Sequence, residues 1–227
     1  MASAQFLATV PLFKGLGALE LQRFEAATRE KSYPRGSVIL FENDPGEALF
    51  IVRQGRVKVV LIGDDGREVI LGMLGVGDHF GELSLIDDQP RSAHVIAVED
   101  STLIVLRRDD FRRCVEDAPA VAWAMLQALS GRLRRADDKI GGLVLLDVPG
   151  RISQLLLESS DAAASETLDR PLTHQTIAQM IGASRETVSR AMKEFQHKGW
   201  IAVERRRIRL TNRAALEKRA SLRAADV

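Results

Sequence analysis

Thiols are almost missing from this chain. Of 227 residues only Cys114 carries one, which excludes an internal disulfide and a cysteine-ligated iron–sulfur cluster. Histidine is nearly as scarce. His79, His94, His174 and His197 stand apart, with no HxH or HxxxH spacing of the kind that builds a hydrolytic metal centre. No apolar run reaches the roughly 18 residues that span a bilayer. The opening MASAQFLATVPLF lacks the basic flank of a secretory signal. No membrane partner is expected, and the cytoplasm is the expected compartment.

What remains is the composition of a soluble globular protein, 45% hydrophobic and 28% charged, long enough for two domains with a core each. The net charge of +1 hides an asymmetry. Residues 171–227 hold 12 Lys/Arg against 5 Asp/Glu, a net of +7, while the first 170 hold 20 against 26, a net of −6. A basic end on an acidic body points to nucleic acid binding at the C-terminal end.

The pattern changes along the chain. Residues 8–28 place Leu12, Phe13, Leu16, Leu19, Leu21 and Phe24 roughly on one face, as short helices do. Residues 31–106 read as short strands cut by Gly-, Pro- and Asp-containing turns, the spacing of a sandwich or roll. Helical sequence follows from residue 107, with Asp109 or Asp110 as candidate cap. A longer helix is expected over about 119–146. In it Leu126, Leu133 and Ile140 are seven apart, and Leu129, Ala136 and Leu143 form a second series, a seam suited to a parallel coiled coil. Asp147 can cap the next helix, with Pro149 tolerated in its first turn. The small, polar SSDAAASE at 159–166 reads as a loop.

Two strings carry the chemistry. Residues 80–95 read FGELSLIDDQPRSAHV. Gly81 lets the backbone approach a ligand closely. A short helix from Leu83 would point unpaired N–H groups at an anion. Arg91 supplies a planar fork of donors suited to phosphate, Ser92 a hydroxyl, and Glu82 a carboxylate that can accept from a sugar hydroxyl. Residues 173–195 read THQTIAQMIGASRETVSRAMKEF. Thr173 and Ser184 can cap two helices that turn at Gly182. Ile177 and Met180, then Val188, Met192 and Phe195, face inward. Arg185, Glu186, Ser189 and Arg190 are left outside, as in a helix-turn-helix that reads the major groove. Arg can grip guanine and Glu can accept from cytosine. Residues 199–210 then form a wing, with Arg205 to Arg207 near phosphates.

The first string resembles the phosphate-binding cassette of cyclic-nucleotide-binding domains. SRETVSR resembles the recognition helix of cAMP-receptor-type regulators. Over nearly its whole length the chain is similar to the CRP/FNR superfamily of bacterial transcription regulators. The resemblance implies an α+β architecture: a cyclic-nucleotide-binding β-roll with flanking short helices at 1–116, a dimerisation helix at 117–146, and a winged helix-turn-helix at 147–227. It implies that Glu82 holds the ribose 2′-OH, that Arg91 and Ser92 hold the cyclic phosphate, and that Gly81, Leu83 and Ser84 line it. Arg185, Glu186 and Arg190 become base readers of GTG-like half-sites in a roughly palindromic double-stranded DNA, with Thr173, Gln175, Ser184, Thr187 and Ser189 beside them. A homodimer, RNA polymerase as partner, and no tightly bound cofactor are also implied. Thr176 departs from the acidic residue frequent there.

The effector's base is left open. In cAMP-responsive members a Thr-Ser pair on the long helix reaches the adenine, and Ala136 and Asp137 stand at those positions here. Asp137 can accept from the adenine amine or from the paired guanine donors. cAMP comes first on family frequency, followed by cGMP and cyclic di-GMP. Against these stand a ligand-independent regulator, a haem sensor using His79 or His94, and a nucleotide phosphodiesterase. The intact Glu82/Arg91 pair and the scattered histidines speak against the last two.

Overall fold

A computed structural model of the chain describes residues 4–168, 172–204 and 207–221. They form two compact units, residues 1–132 and 133–227.

The first unit opens with α1 (Ala4–Leu7), a 3-10 turn (Pro11–Phe13) and α2 (Ala18–Ala27). Eight strands follow: β1 (Thr28–Tyr33), β2 (Val38–Leu40), β3 (Ala48–Gln54), β4 (Val57–Ile62), β5 (Glu68–Leu74), β6 (His79–Phe80), β7 (His94–Ala97) and β8 (Ser101–Arg107), with α3 (Leu83–Asp87) between β6 and β7. They pair antiparallel into two four-stranded sheets, β1-β8-β3-β6 and β2-β7-β4-β5.

Strand β3 shows how these sheets are held. Its residues 48–52, ALFIV, are all buried, because both faces of the strand are covered. Ala48, Phe50 and Val52 pack with Val57, Phe80, Val95 and Leu103 in one core, where the Phe50 and Phe80 rings stack with centroids 5.2 Å apart. Leu49 and Ile51 turn the other way and pack with Phe13, Phe24, Ile104, Leu106 and Phe111. The register with β8 keeps the alternation, since Leu49 faces Leu106 and Ile51 faces Ile104.

After β8 come α4 (Arg108–Asp117) and α5 (Pro119–Leu145). Neither Asp109 nor Asp110 caps α4. Arg107 leaves β8 in extended conformation and becomes the N-cap without a side-chain bond, so both acids fall in the first turn, where the helix dipole favours them. The two apolar series of α5 also separate. Leu129 packs with Val121 and Met125 on the first unit's core. The exposed stripe instead runs Leu126, Ser130, Leu133, Asp137, Ile140 and Val144, steps of four and three, with Trp123 at its start.

The second unit contains α6 (Val148–Ala163), β9 (Thr167–Leu168), α7 (His174–Ile181), α8 (Arg185–His197), β10 (Ile201–Glu204), β11 (Arg207–Leu210) and α9 (Arg213–Ala220). Asp147 caps α6 by accepting from Gly150 N at 2.9 Å. The helix continues through much of the segment expected as a loop. Ser160 is buried, its Oγ donates to Ser165 O at 2.9 Å, and helix-favouring alanines carry α6 to Ala164, where φ reaches +47°. Strand β9 completes the antiparallel sheet β10-β11-β9. Ile152, Leu156, Ile177, Val188, Phe195, Ile208 and Leu216 lie in one core.

Phe195 is 1% exposed and sits in this core with its ring centroid 5.1 Å from that of Trp200. Phe195→Ala is expected to cost roughly 3–5 kcal/mol. The check is a denaturant melt followed at the Trp200 fluorescence.

Candidate nucleotide pocket and DNA-reading helix

Strand β6 runs straight into the first string. Gly81 has φ +82°, a conformation that L side chains avoid. A Cβ there would lie 2.7 Å from Arg91 Nη1 and 3.0 Å from the Ala48 carbonyl, so conformation and space both require glycine. Gly46 is equally tight from the other side, with a Cβ falling 2.1 Å from that of Ser84 and 3.4 Å from Arg91 Cζ. These close approaches gather Gly81, Glu82, Ser84 and Arg91 in one place.

Glu82 is 1% exposed. Its Oε1 accepts from Arg132 Nη1, whose other terminal nitrogen donates to the His79 carbonyl. Oε2 is buried with no hydrogen-bond partner. Burial pushes the Glu82 carboxyl above the usual carboxylate range, and the Arg132 charge opposes this. Arg91 is 5% exposed. Nη1 donates to Gly81 O at 2.6 Å and Nη2 to Ala48 O at 2.8 Å, while Nε has no partner. Among the described residues no carboxylate forms an ion pair with it. Burial lowers its pKa, Glu82 opposes, and Arg108 adds to the lowering.

The pocket thus holds a buried acceptor lacking a donor and a buried cation lacking a counter-ion. Each unmet group costs on the order of 1–3 kcal/mol. A hydroxyl suits the first and an anionic oxygen the second, so one molecule carrying both satisfies the pair. A phosphorylated sugar is such a molecule.

Not every expected residue joins them. Leu83 and Ser92 face solvent, and Ser92 makes no hydrogen bond among the described residues. Asp137 lies further along α5, in the second unit, exposed and without a side-chain partner among the described residues. Arg132 went unnoticed in the sequence. Its signal is the roll-facing series Val121, Met125 and Leu129, which a guanidinium extends three residues on. Among the described residues no group of three His, Cys, Asp or Glu side chains is placed to hold a metal ion. His94 Nδ1 instead accepts from the Glu42 backbone at 3.2 Å.

The second string forms two capped helices. Thr173 Oγ1 accepts from Thr176 N at 3.0 Å and Ser184 Oγ from Thr187 N at 3.2 Å. Gly182, at φ +64°, makes the turn between them. Val188, Ala191, Met192 and Phe195 are buried, leaving Arg185, Glu186 and Arg190 exposed, as are Thr173, Gln175 and Ser184. Thr187 is half-buried. Ser189 is hydrogen-bonded to His174 Nδ1 at 2.8 Å. Arg207 is exposed on β11, while Arg205 and Arg206 lie outside the described residues. Among the described residues no helix is long and apolar enough to cross a membrane.

A nucleotide-type pocket joined in one chain to a capped helix-turn-helix defines a ligand-binding transcription regulator. Comparison with known proteins agrees. Residues 30–118 match the family model of the cyclic nucleotide-binding domain and residues 150–219 that of the Crp-like helix-turn-helix domain. The CRP-like cAMP-activated global transcriptional regulator of Mycobacterium tuberculosis is 32% identical, over 95% of this chain and 99% of that protein. The Cyclic AMP receptor protein of Thermus thermophilus is 32% identical, over 91% and 95%. The solved structure of the c-di-GMP responsive global regulator CLP of Xanthomonas campestris has a TM-score of 0.74 at 26% identity, covering 86% of this chain and 99% of that one. The chain belongs to the CRP/FNR superfamily of transcription regulators, which are not enzymes.

His79 is buried beside this pocket, and desolvation first, then the Arg132 charge, pushes its pKa from 6.5 down to about 4. Between those values the unfolded chain binds the proton and the folded chain does not. Stability is therefore expected to fall as pH drops from 6.5 towards 4, by about 3 kcal/mol for this group. Denaturant titrations at pH 7.5, 6 and 5 should show that loss shrinking in His79→Gln.

Proposed function

We propose that this chain is a cyclic-nucleotide-responsive transcription regulator that binds DNA as a homodimer in the cytoplasm. One observation carries the reading: Glu82 Oε2 and Arg91 Nε are both buried and unpartnered within one short string. Glu82 takes the ribose 2′-OH through Oε2. Arg91 takes the cyclic phosphate, with Gly81, Leu83 and Ser84 around it and Ser92 at the rim. The exposed stripe of α5 pairs two copies, and its apolar residues Leu126, Leu133 and Ile140, seven apart, support a parallel seam. Nucleotide binds one arrangement of that seam better than the other and so sets the spacing of the two recognition helices.

cAMP is the first effector to test, since the Mycobacterium tuberculosis and Thermus thermophilus relatives are described by it. cGMP and cyclic di-GMP are the second reading. They are favoured by Asp137, an acceptor able to meet paired guanine donors, and by the c-di-GMP responsive relative. Arg185, Glu186 and Arg190 read GTG-like half-sites of a palindromic duplex, Thr173, Gln175, Ser184, Thr187 and Ser189 flank them, and RNA polymerase is the downstream partner.

Calorimetric titration with cAMP, cGMP and cyclic di-GMP side by side tests the effector. Arg91→Leu should weaken nucleotide binding by about 2–5 kcal/mol. Unchanged affinity in that variant removes the site assignment. Arg185→Ala and Glu186→Ala should each relax preference at one base pair by about 1–3 kcal/mol. Competition among singly altered half-sites reads this directly, and a uniform loss across all duplexes speaks against base readout.

A further inference from the structure

Arg108, the first residue of α4, is bound to the pocket by more groups than a surface cation needs. Its Nη2 donates to Gly46 O at 2.6 Å and to Ser84 O at 2.8 Å, and its Nη1 pairs with Asp88 Oδ1. Its backbone N donates to Glu47 O at 3.0 Å. The next carbonyl, Ala48 O, is held by Arg91 Nη2 at 2.8 Å. Three consecutive carbonyls, at 46, 47 and 48, are thus divided between Arg108 and Arg91. Arg108 also ties down α3, because Ser84 is its second residue and the left-handed Asp88 its C-cap.

We infer that Arg108 is the positioning residue that transmits occupancy of Arg91 to α4 and α5. This rests on the nucleotide-binding reading of the pocket. An anionic oxygen arriving at Arg91 takes the unpartnered Nε and, beside it, competes for the Nη donors now shared with Ala48 O and Gly81 O. Releasing Ala48 O frees one end of the 46–48 segment, whose other end Arg108 holds. The same guanidinium grips α3, so a shift of either part moves the first turn of α4. From there the path is covalent and packed: Phe111 of α4 lies in one core with Val121 and Met125 of α5. The link is a contiguous set of hydrogen bonds, two from Nη2 to backbone carbonyls and one from Nη1 to the Asp88 carboxylate, that joins α3, the 46–48 segment and α4 through one side chain. Lysine cannot replace it, since one ammonium lacks the planar fork that reaches Asp88 and two carbonyls together.

Hydrogen exchange with and without saturating cAMP, and in parallel cGMP and cyclic di-GMP, tests this on the full chain, with nucleotide affinity measured by calorimetry. In the wild type, ligand should change amide exchange in α3 and also in α4 and the first turns of α5. In Arg108→Lys the response at α3 should persist, while that in α4 and α5 falls by about tenfold, the size of a typical coupling factor. Asp88→Asn removes the exposed leg together with the 3.4 Å pair from Arg112 and should cut it by about threefold, whereas Arg112→Gln, which removes that pair alone, should leave it unchanged; the two together decide the matter if Arg108→Lys does not fold. An undiminished response in α4 and α5 overturns the inference. So does a loss that tracks weakened nucleotide affinity and returns at saturation, because a mere brace would behave that way. A wild type that binds nucleotide but responds only at α3 overturns it alone. A wild type that binds none of cAMP, cGMP and cyclic di-GMP overturns the nucleotide reading as well.

Discussion

A carboxylate and a guanidinium, both withdrawn from water and both incompletely satisfied, set the terms for the first unit. Moving an ion into a protein interior costs several kcal/mol before any partner is found. Glu82 recovers part of this from Arg132, and Arg91 recovers part from two backbone carbonyls. Neither recovers all of it, and the shortfalls have opposite chemistry, one asking for a donor and the other for an acceptor. The rest of the unit serves to keep the two groups near each other while denying them water.

That service begins with β3. Because its two faces pack into two different cores, the strand has little freedom to slide or tilt, and the Ala48 carbonyl at its start is correspondingly fixed. The glycines at 46 and 81 then allow chain segments to approach more closely than any Cβ would permit. Arg132 reaches the pocket because α5 continues the roll-facing series of Val121, Met125 and Leu129. Ordinary burial of aliphatic side chains therefore positions the charges, at about 25 cal/mol per Å² of apolar surface removed from water.

Much of this could be read in the sequence where information is local. The cassette string is contiguous, its glycine, acid and arginine are close neighbours, and strand alternation and turn residues reveal the sheets without tertiary knowledge. Thr173, Ser184 and Asp147 were readable as caps for the same reason. What escaped depends on distance along the chain. Arg132 meets Glu82 across 50 residues, and Arg108 meets Ser84 across 24. For Arg132 the one local mark is the inward-facing spacing of Val121, Met125 and Leu129, and nothing in the local sequence marks Arg108 among the arginines around it. Local composition misled twice. SSDAAASE looks like a polar loop, yet Ser159 and Ser160 satisfy their hydroxyls on carbonyls and the segment stays in helix α6 as far as Ala163. Asp109 and Asp110 resemble caps, yet the chain passes from strand to helix two residues too early for the first and three for the second. The apolar series containing Leu129 was regular enough to suggest an external seam, but it faces inward at that end because the core needed it there.

The two carbonyl bonds of Arg91 have an effect on how tightly anything else is held. Gly81 O and Ala48 O already hold Nη1 and Nη2 while Nε stays free, so at the two terminal nitrogens these backbone atoms act as a tethered competitor at fixed effective concentration. An incoming anion gains only the difference between its own bonds and those it displaces. The binding strength of this pocket is thereby tuned by residues that need never touch the guest, through the geometry they impose on two peptide oxygens.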